Sequence, residues 1–244
     1  MLVAAAVCPS PPLLVPAVAA GAAPELDAVR AACADALGVL AAARPERLIV
    51  VGPAGRDRRG EYPSGTAGSF RGFGVDLDVV LGESPAAARA GAGESPEREL
   101  PASLAVAAWL LGHAHWAATP VSGVGVGEPL DTERCLRTGQ EIAARAGRVA
   151  LLVMGDASAC RSLKAPGYLD ERAAGFDEAA ARALGTADVA ALKALDAELA
   201  HELKAAGRAP WQVLAGAAEG AGLAGELLYE GAPYGVGYLV AAWS

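Results

Sequence analysis

"ALLVMGDASACR", Ala150–Arg161, is a run of apolar residues that breaks at once into a glycine–aspartate turn and then small side chains. An apolar run of this length, closed by a turn signal, reads as a buried strand over Val149–Met154. The pattern recurs in "VAAAVCPSPPLLVP" (Val3–Pro16) and "LIVVGPAGR" (Leu48–Arg56). Buried strands are therefore expected over Leu2–Val7 and Arg47–Val51 as well.

Helical periodicity fills the intervals between these strands. Pro24 and Glu25 open a pattern running to Ala43, with Leu26, Val29, Cys33, Leu37 and Leu40 on one face. Further helices are expected over Leu100–Leu111, Leu130–Ala146, Glu171–Leu184, Val189–Ala205 and Pro210–Ala221. Val189, Leu192, Leu195, Leu199 and Leu203 form one stripe, which core packing explains. Additional strands are expected over Val75–Leu81, Trp116–Val121, Glu226–Tyr229 and Gly237–Trp243. The segment "GESPAAARAGAGE" (Gly82–Glu94) is low in complexity and reads as mobile. Strands alternating with helices predict a single domain over residues 1–244, a three-layer α/β/α sandwich with a central, mostly parallel or mixed sheet. Ligands of such sheets bind beyond the strand ends. The loops after Val7, Val51 and Met154 are thus the expected site, and none contains a histidine.

Composition narrows the function classes. The 244 residues are 53% hydrophobic but only 5% aromatic, so the core is built mainly from Ala, Leu and Val. A net charge of −8 argues against a nucleic-acid phosphate partner. "GRDRRG" (Gly55–Gly60) reads as a short loop cluster, not a basic face. No apolar run approaches the ~20 residues of a membrane span, and prolines 9, 11 and 12 interrupt the first one, so a cytoplasmic location is expected. Cys8, Cys33, Cys135 and Cys160 are widely spaced and signal neither a zinc knuckle nor a disulfide framework.

Familiar motifs are weak or missing. "SGVGVGEP" (Ser122–Pro129) only loosely imitates a dinucleotide loop, and no GxSxG nucleophile elbow occurs. His113 and His115 flank Ala114 at an expected helix C-terminus, where imidazole complements the dipole. His201 falls on the polar side of its helix. A facial-triad iron site needs two histidines and a carboxylate on one side of the metal, and these three histidines lie away from the strand-end loops. Asp156 and Ser158 either cap the turn that follows them or line a binding site with Cys160, Arg161 and Lys164. Arg208, between Gly207 and Pro210, either binds an anion or pairs with a surface carboxylate.

"CPSPPLLVP", "LIVVGPAG", "GDASACRSLKAPGYLDERAAGFDEA", "AAGRAPWQVLAGA" and "APYGVGYLVAAW", taken in order, resemble the catalytic-subunit-like family of class III (LigB-type) extradiol ring-cleavage dioxygenases and the related Memo-like proteins. The resemblance covers nearly the whole chain and is best from Met154 onward. Within the family it is nearest a divergent branch from high-GC bacteria, in keeping with the alanine and arginine usage.

The resemblance implies a site and, at the same time, its loss. Active members place a metal-ligand histidine in the first loop, and this chain has Ser10 there. The second ligand histidine follows the next strand, where Ala54 stands. The acid–base histidine maps to Ala159, and the third ligand, a glutamate or cysteine, maps to Ala206. Fe(II), the cofactor of active relatives, would have no ligand at these positions, so no cofactor and no metal ligand is expected. The resemblance thus implies a ligandless relative that binds a small molecule or a protein. Its expected lining is Ser10, Ala54, Arg56, Asp156, Ser158, Ala159, Arg161, Ala206, Arg208 and Tyr234. An alternative keeps a metal enzyme with ligands relocated to Cys8, Asp156, Cys160, His113, His115 or His201, and a third keeps acid–base or thiol chemistry at Asp156 or Cys160. Homodimers, or association with a small partner subunit, are implied by resemblance alone.

Overall fold

Ala5, Val7, Ile49, Val51, Leu151 and Val153 point to one side of a sheet, and Ala4, Ala6, Leu48, Val50, Ala150 and Leu152 to the other. All are buried, because the period-two alternation of a strand sends equally apolar residues into two separate cores. The computed structural model describes residues 1–82, 98–117 and 119–244. The expectation of mobility for Gly82–Glu94 falls outside the described residues except at Gly82.

Seven strands form the main sheet. They are β1 (Leu2–Cys8), β2 (Arg47–Pro53), β3 (Gly60–Tyr62), β6 (Val121–Val126), β7 (Val149–Met154), β8 (Gly225–Gly231) and β9 (Tyr238–Trp243). Their spatial order is β3-β6-β2-β7-β1-β9-β8. The inner four, β6, β2, β7 and β1, run parallel, while β3 and β9 pair antiparallel at the flanks. A separate antiparallel pair joins β4 (Ala67–Ser69) and β5 (Asp78–Val80).

Helices cover both faces, giving an α/β sandwich. On one side lie α2 (Asp27–Ala42), preceded by the short α1 (Pro16–Ala19), and α3 (Ala102–His113). On the other lie α4 (Thr132–Ala143), α5 (Arg172–Gly185), α6 (Val189–Lys193), α7 (Ala197–Glu202) and α8 (Arg208–Ala217). No helix among the described residues is long and apolar enough to cross a membrane.

Three sequence expectations shift. The strand expected over Trp116–Val121 forms instead over Val121–Val126, within the glycine-rich "SGVGVG". Its glycines serve close packing: a Cβ on Gly123 would sit 3.0 Å from Leu104 Cδ1, and one on Gly125 would sit 2.7 Å from the Arg58 carbonyl oxygen. The helix expected over Val189–Ala205 is two helices, because Asp196 caps a new N-terminus by accepting from the Glu198 and Leu199 amides. Its leucine stripe still faces the core. The strand expected over Val75–Leu81 shortens to β5 and lies outside the main sheet.

Register sets up the site. Cys8 lies beside Met154, and Pro53 beside Val126, so the four parallel strands end nearly level. The chain leaves all four at the same edge of the sheet.

Candidate functional site

Immediately beyond that edge is a cleft of about 490 Å³. Ser10 reaches it from the loop after β1, Ala54 from the loop after β2, Glu128 and Pro129 from the loop after β6, and Asp156 from the loop after β7. Ala206 comes from the turn before α8, and Pro101, Ala102 and Ser103 bring the first turn of α3. Arg58 and Arg59 complete the wall. The volume lies within the range of small-molecule sites.

Close backbone packing brings Asp156 and Ala206 together. A Cβ on Gly155 would stand 2.5 Å from Gly207 Cα, so the "MGD" and "AGR" turns cross in direct contact. The Gly207 amide donates to the Asp156 carbonyl at 2.8 Å, and the Gly155 amide donates to the Cys8 carbonyl at 3.0 Å. Asp156 Oδ1 accepts from the Ser10 amide at 2.8 Å, which ties the first loop to the third. Burial pushes the Asp156 carboxyl up to about 6, and the Ser10 amide only partly offsets this. A carboxyl poised there exchanges protons near neutral pH.

Ser10, Ala54, Asp156 and Ala206 therefore share one cleft, whereas Ala159 does not line it. Four other expected lining residues are engaged elsewhere. Ser158 donates from its amide (2.8 Å) and hydroxyl (2.9 Å) to the carboxylate of Asp177, itself only 1% exposed. Arg161 Nη1 bonds the same carboxylate at 2.9 Å, so both residues lock the loop after β7 onto α5. Arg208, 3% exposed, neither meets a surface carboxylate nor opens to the cleft. Its guanidinium donates to the carbonyls of Glu128 and Leu130 (2.7 Å) and to Gln212 Oε1 (3.0 Å). That arginine positions the Glu128–Leu130 loop from behind. Tyr234 packs against the core on the α2 side of the sheet, in the turn between β8 and β9.

Arg56 is exposed and lies outside the cleft lining, which is supplied by Arg58 and Arg59. A short 3₁₀ turn over Arg56–Arg58 separates them. "GRDRRG" directly after β2 was the available signal for these two. Nothing local in the sequence marks Pro101–Ser103, which arrives from a distant segment.

The relocated metal ligands do not assemble. Cys8 belongs to the core on one side of the sheet and Cys160 to the core on the other, so they cannot share an ion. Cys160 Sγ points to the Leu203 carbonyl at 3.5 Å, and burial pushes its thiol up, away from thiolate chemistry. All four cysteines are buried and free. His113 ends α3 with its ring tilted against Trp109, centroids 4.0 Å apart, and His115 and His201 are exposed. No group of three His, Cys, Asp or Glu side chains able to hold a metal forms among the described residues. The cleft offers two carboxylates, Asp156 and Glu128, and no imidazole or thiol, which does not fit the two-histidine, one-carboxylate set of a ring-cleaving iron site.

No family model matches the chain, and no curated protein matches it. Among solved structures it is similar to the crystal structure of the uncharacterized protein JW3007 from Escherichia coli K12, with a TM-score of 0.59 and 14% identity over 99% of each chain. That likeness extends across the whole sandwich and speaks to fold.

Proposed function

We propose that this chain is a ligandless relative of the class III extradiol dioxygenases that uses the inherited cleft to bind a small molecule. The observation that carries the reading is the convergence of Ser10, Ala54 and Ala206, three positions mapped to metal ligands by resemblance, around the cleft that holds Asp156. Neither serine nor alanine supplies a ligand field for Fe(II). The cytoplasmic location read from the sequence belongs to the same proposal.

The test is metal analysis of protein purified without chelator. Iron, zinc and copper are expected far below one equivalent after dialysis, with no oxygen uptake on catechols and added Fe(II). Stoichiometric metal surviving dialysis, or catechol-dependent oxygen uptake, overturns the reading. One observation favours a catalytic variant of it. The raised Asp156 carboxyl suits acid–base chemistry on whatever the cleft holds.

A further inference from the structure

The cleft is lined on several sides by groups that seek negative charge. Arg59 forms no hydrogen bond through its guanidinium and no ion pair among the described residues, and its side chain lies against Gly127 at the end of β6. Arg58 spends one donor on the Leu100 carbonyl, at 3.1 Å, and keeps the rest of its guanidinium at the cleft wall. The first turn of α3 reaches the same space. Its N-cap is Pro101, which provides no side-chain cap, so the first amides of a 12-residue helix are left with their partial positive charge.

Ser10 adds a hydroxyl to the cleft lining. It is 7% exposed and lines the cleft, yet its hydroxyl has no hydrogen-bond partner among the described residues. The hydroxyl oxygen keeps some exposure, so it is available to a molecule held in the cleft. Behind the wall, the Arg208 guanidinium meets carbonyl and amide oxygens and the Cys135 sulfur, and it forms no ion pair among the described residues. Against these stand Asp156 and the exposed Glu128. Asp156 accepts one amide and keeps its second oxygen for a donor.

We propose, building on the reading of this cleft as a ligand site, that its ligand is a small oxyanion, a carboxylate or phosphate, held by Arg58, Arg59, the Ser10 hydroxyl and the N-terminus of α3. Asp156 then accepts a hydrogen bond from a neighbouring hydroxyl of the same molecule. The guanidiniums match the planar fork of a carboxylate or the oxygens of a phosphate, and the helix terminus adds directed amides.

The test is calorimetric titration of the full chain with inorganic phosphate, propionate, lactate and the neutral propionamide, backed by amide chemical shifts. Phosphate or a carboxylate is expected to bind while propionamide does not, with shifts at Ser10 and Ala102–Ser103. Phosphate and propionate separate the two oxyanion classes. Lactate binding more tightly than propionate marks the Asp156 contact. Arg59→Gln, at an exposed residue, is expected to weaken the anion by about ten- to hundredfold. Arg58→Gln is expected to do the same, and its fold is checked by circular dichroism. Binding of propionamide as tightly as propionate, undiminished anion binding by Arg59→Gln, or no binding of any anion each overturns the inference. The underlying reading fails separately, through retained metal.

Discussion

Asp156 sits where several demands conflict. Its carboxyl is desolvated by the loops that shape the cleft, and the Ser10 amide is its one direct partner among the described residues. Because the folded state raises this carboxyl from 3.8 to about 6, the stability it contributes is fully present below the unfolded value and is lost as pH rises through about 6. At neutral pH the penalty is about 3 kcal/mol. Asp156→Asn keeps an acceptor for the Ser10 amide without the charge. Urea denaturation should find it more stable than the parent by about 1–3 kcal/mol near pH 8, with the gain gone near pH 4. A difference independent of pH would mean that the carboxylate is not desolvated. Arg58, Arg59 and Glu128 line the same cleft, but burial and the Ser10 amide alone set the shift. The position of Asp156 at the cleft was legible in its place after a buried strand. The roles of Ser158 and Arg161 were not, because their partner Asp177 lies a full loop away on α5.

At the scale of elements, glycine decides how closely the layers approach. A Cβ on Gly139 of α4 would fall 2.6 Å from the Ala217 amide nitrogen, and one on Gly216 of α8 would fall 2.7 Å from the Leu136 carbonyl carbon. The two helices are therefore in backbone contact. Gly139→Ala must push α8 outward, and should lower stability by about 1–3 kcal/mol in thermal unfolding. Since α8 carries Arg208, which holds the Glu128–Leu130 loop, the same variant should also loosen the cleft wall. An unchanged melting temperature would contradict this packing. Such glycines also explain where reading the sequence succeeded and where it failed. Val149–Met154 was legible to the residue because six apolar side chains fill both cores. Strand β6 was displaced because Gly123 and Gly125 carry no hydrophobic signal, their value lying in neighbours distant in the chain. The break at Asp196 hid inside an apolar stripe that two successive helices share.

Across the whole molecule, pairing is unequal. The parallel strands β6, β2, β7 and β1 are enclosed between two helical layers, whereas β8 is an edge strand exposed in part along its length. Amide exchange should be slowest in β1, β2 and β7 and markedly faster in β8 and the two-stranded β4–β5 pair. Mass-spectrometric exchange showing β8 as protected as β7 would be inconsistent with this arrangement. The sandwich and the edge at which its loops gather were legible from alternating elements alone. The occupants of the cleft wall were not, since Arg58, Arg59 and the start of α3 meet Asp156 only once the sheet has assembled.

The crossing of Gly155 over Gly207 has a practical consequence for protein engineering. A side chain at Gly155 collides with the Gly207 backbone, and one at Gly207 collides with the Trp211 ring, so a randomised library must leave both untouched. Positions 10, 54 and 206 line the cleft itself and are the places to diversify around that fixed floor. New recognition chemistry can thus be sought here without redesigning the scaffold beneath it.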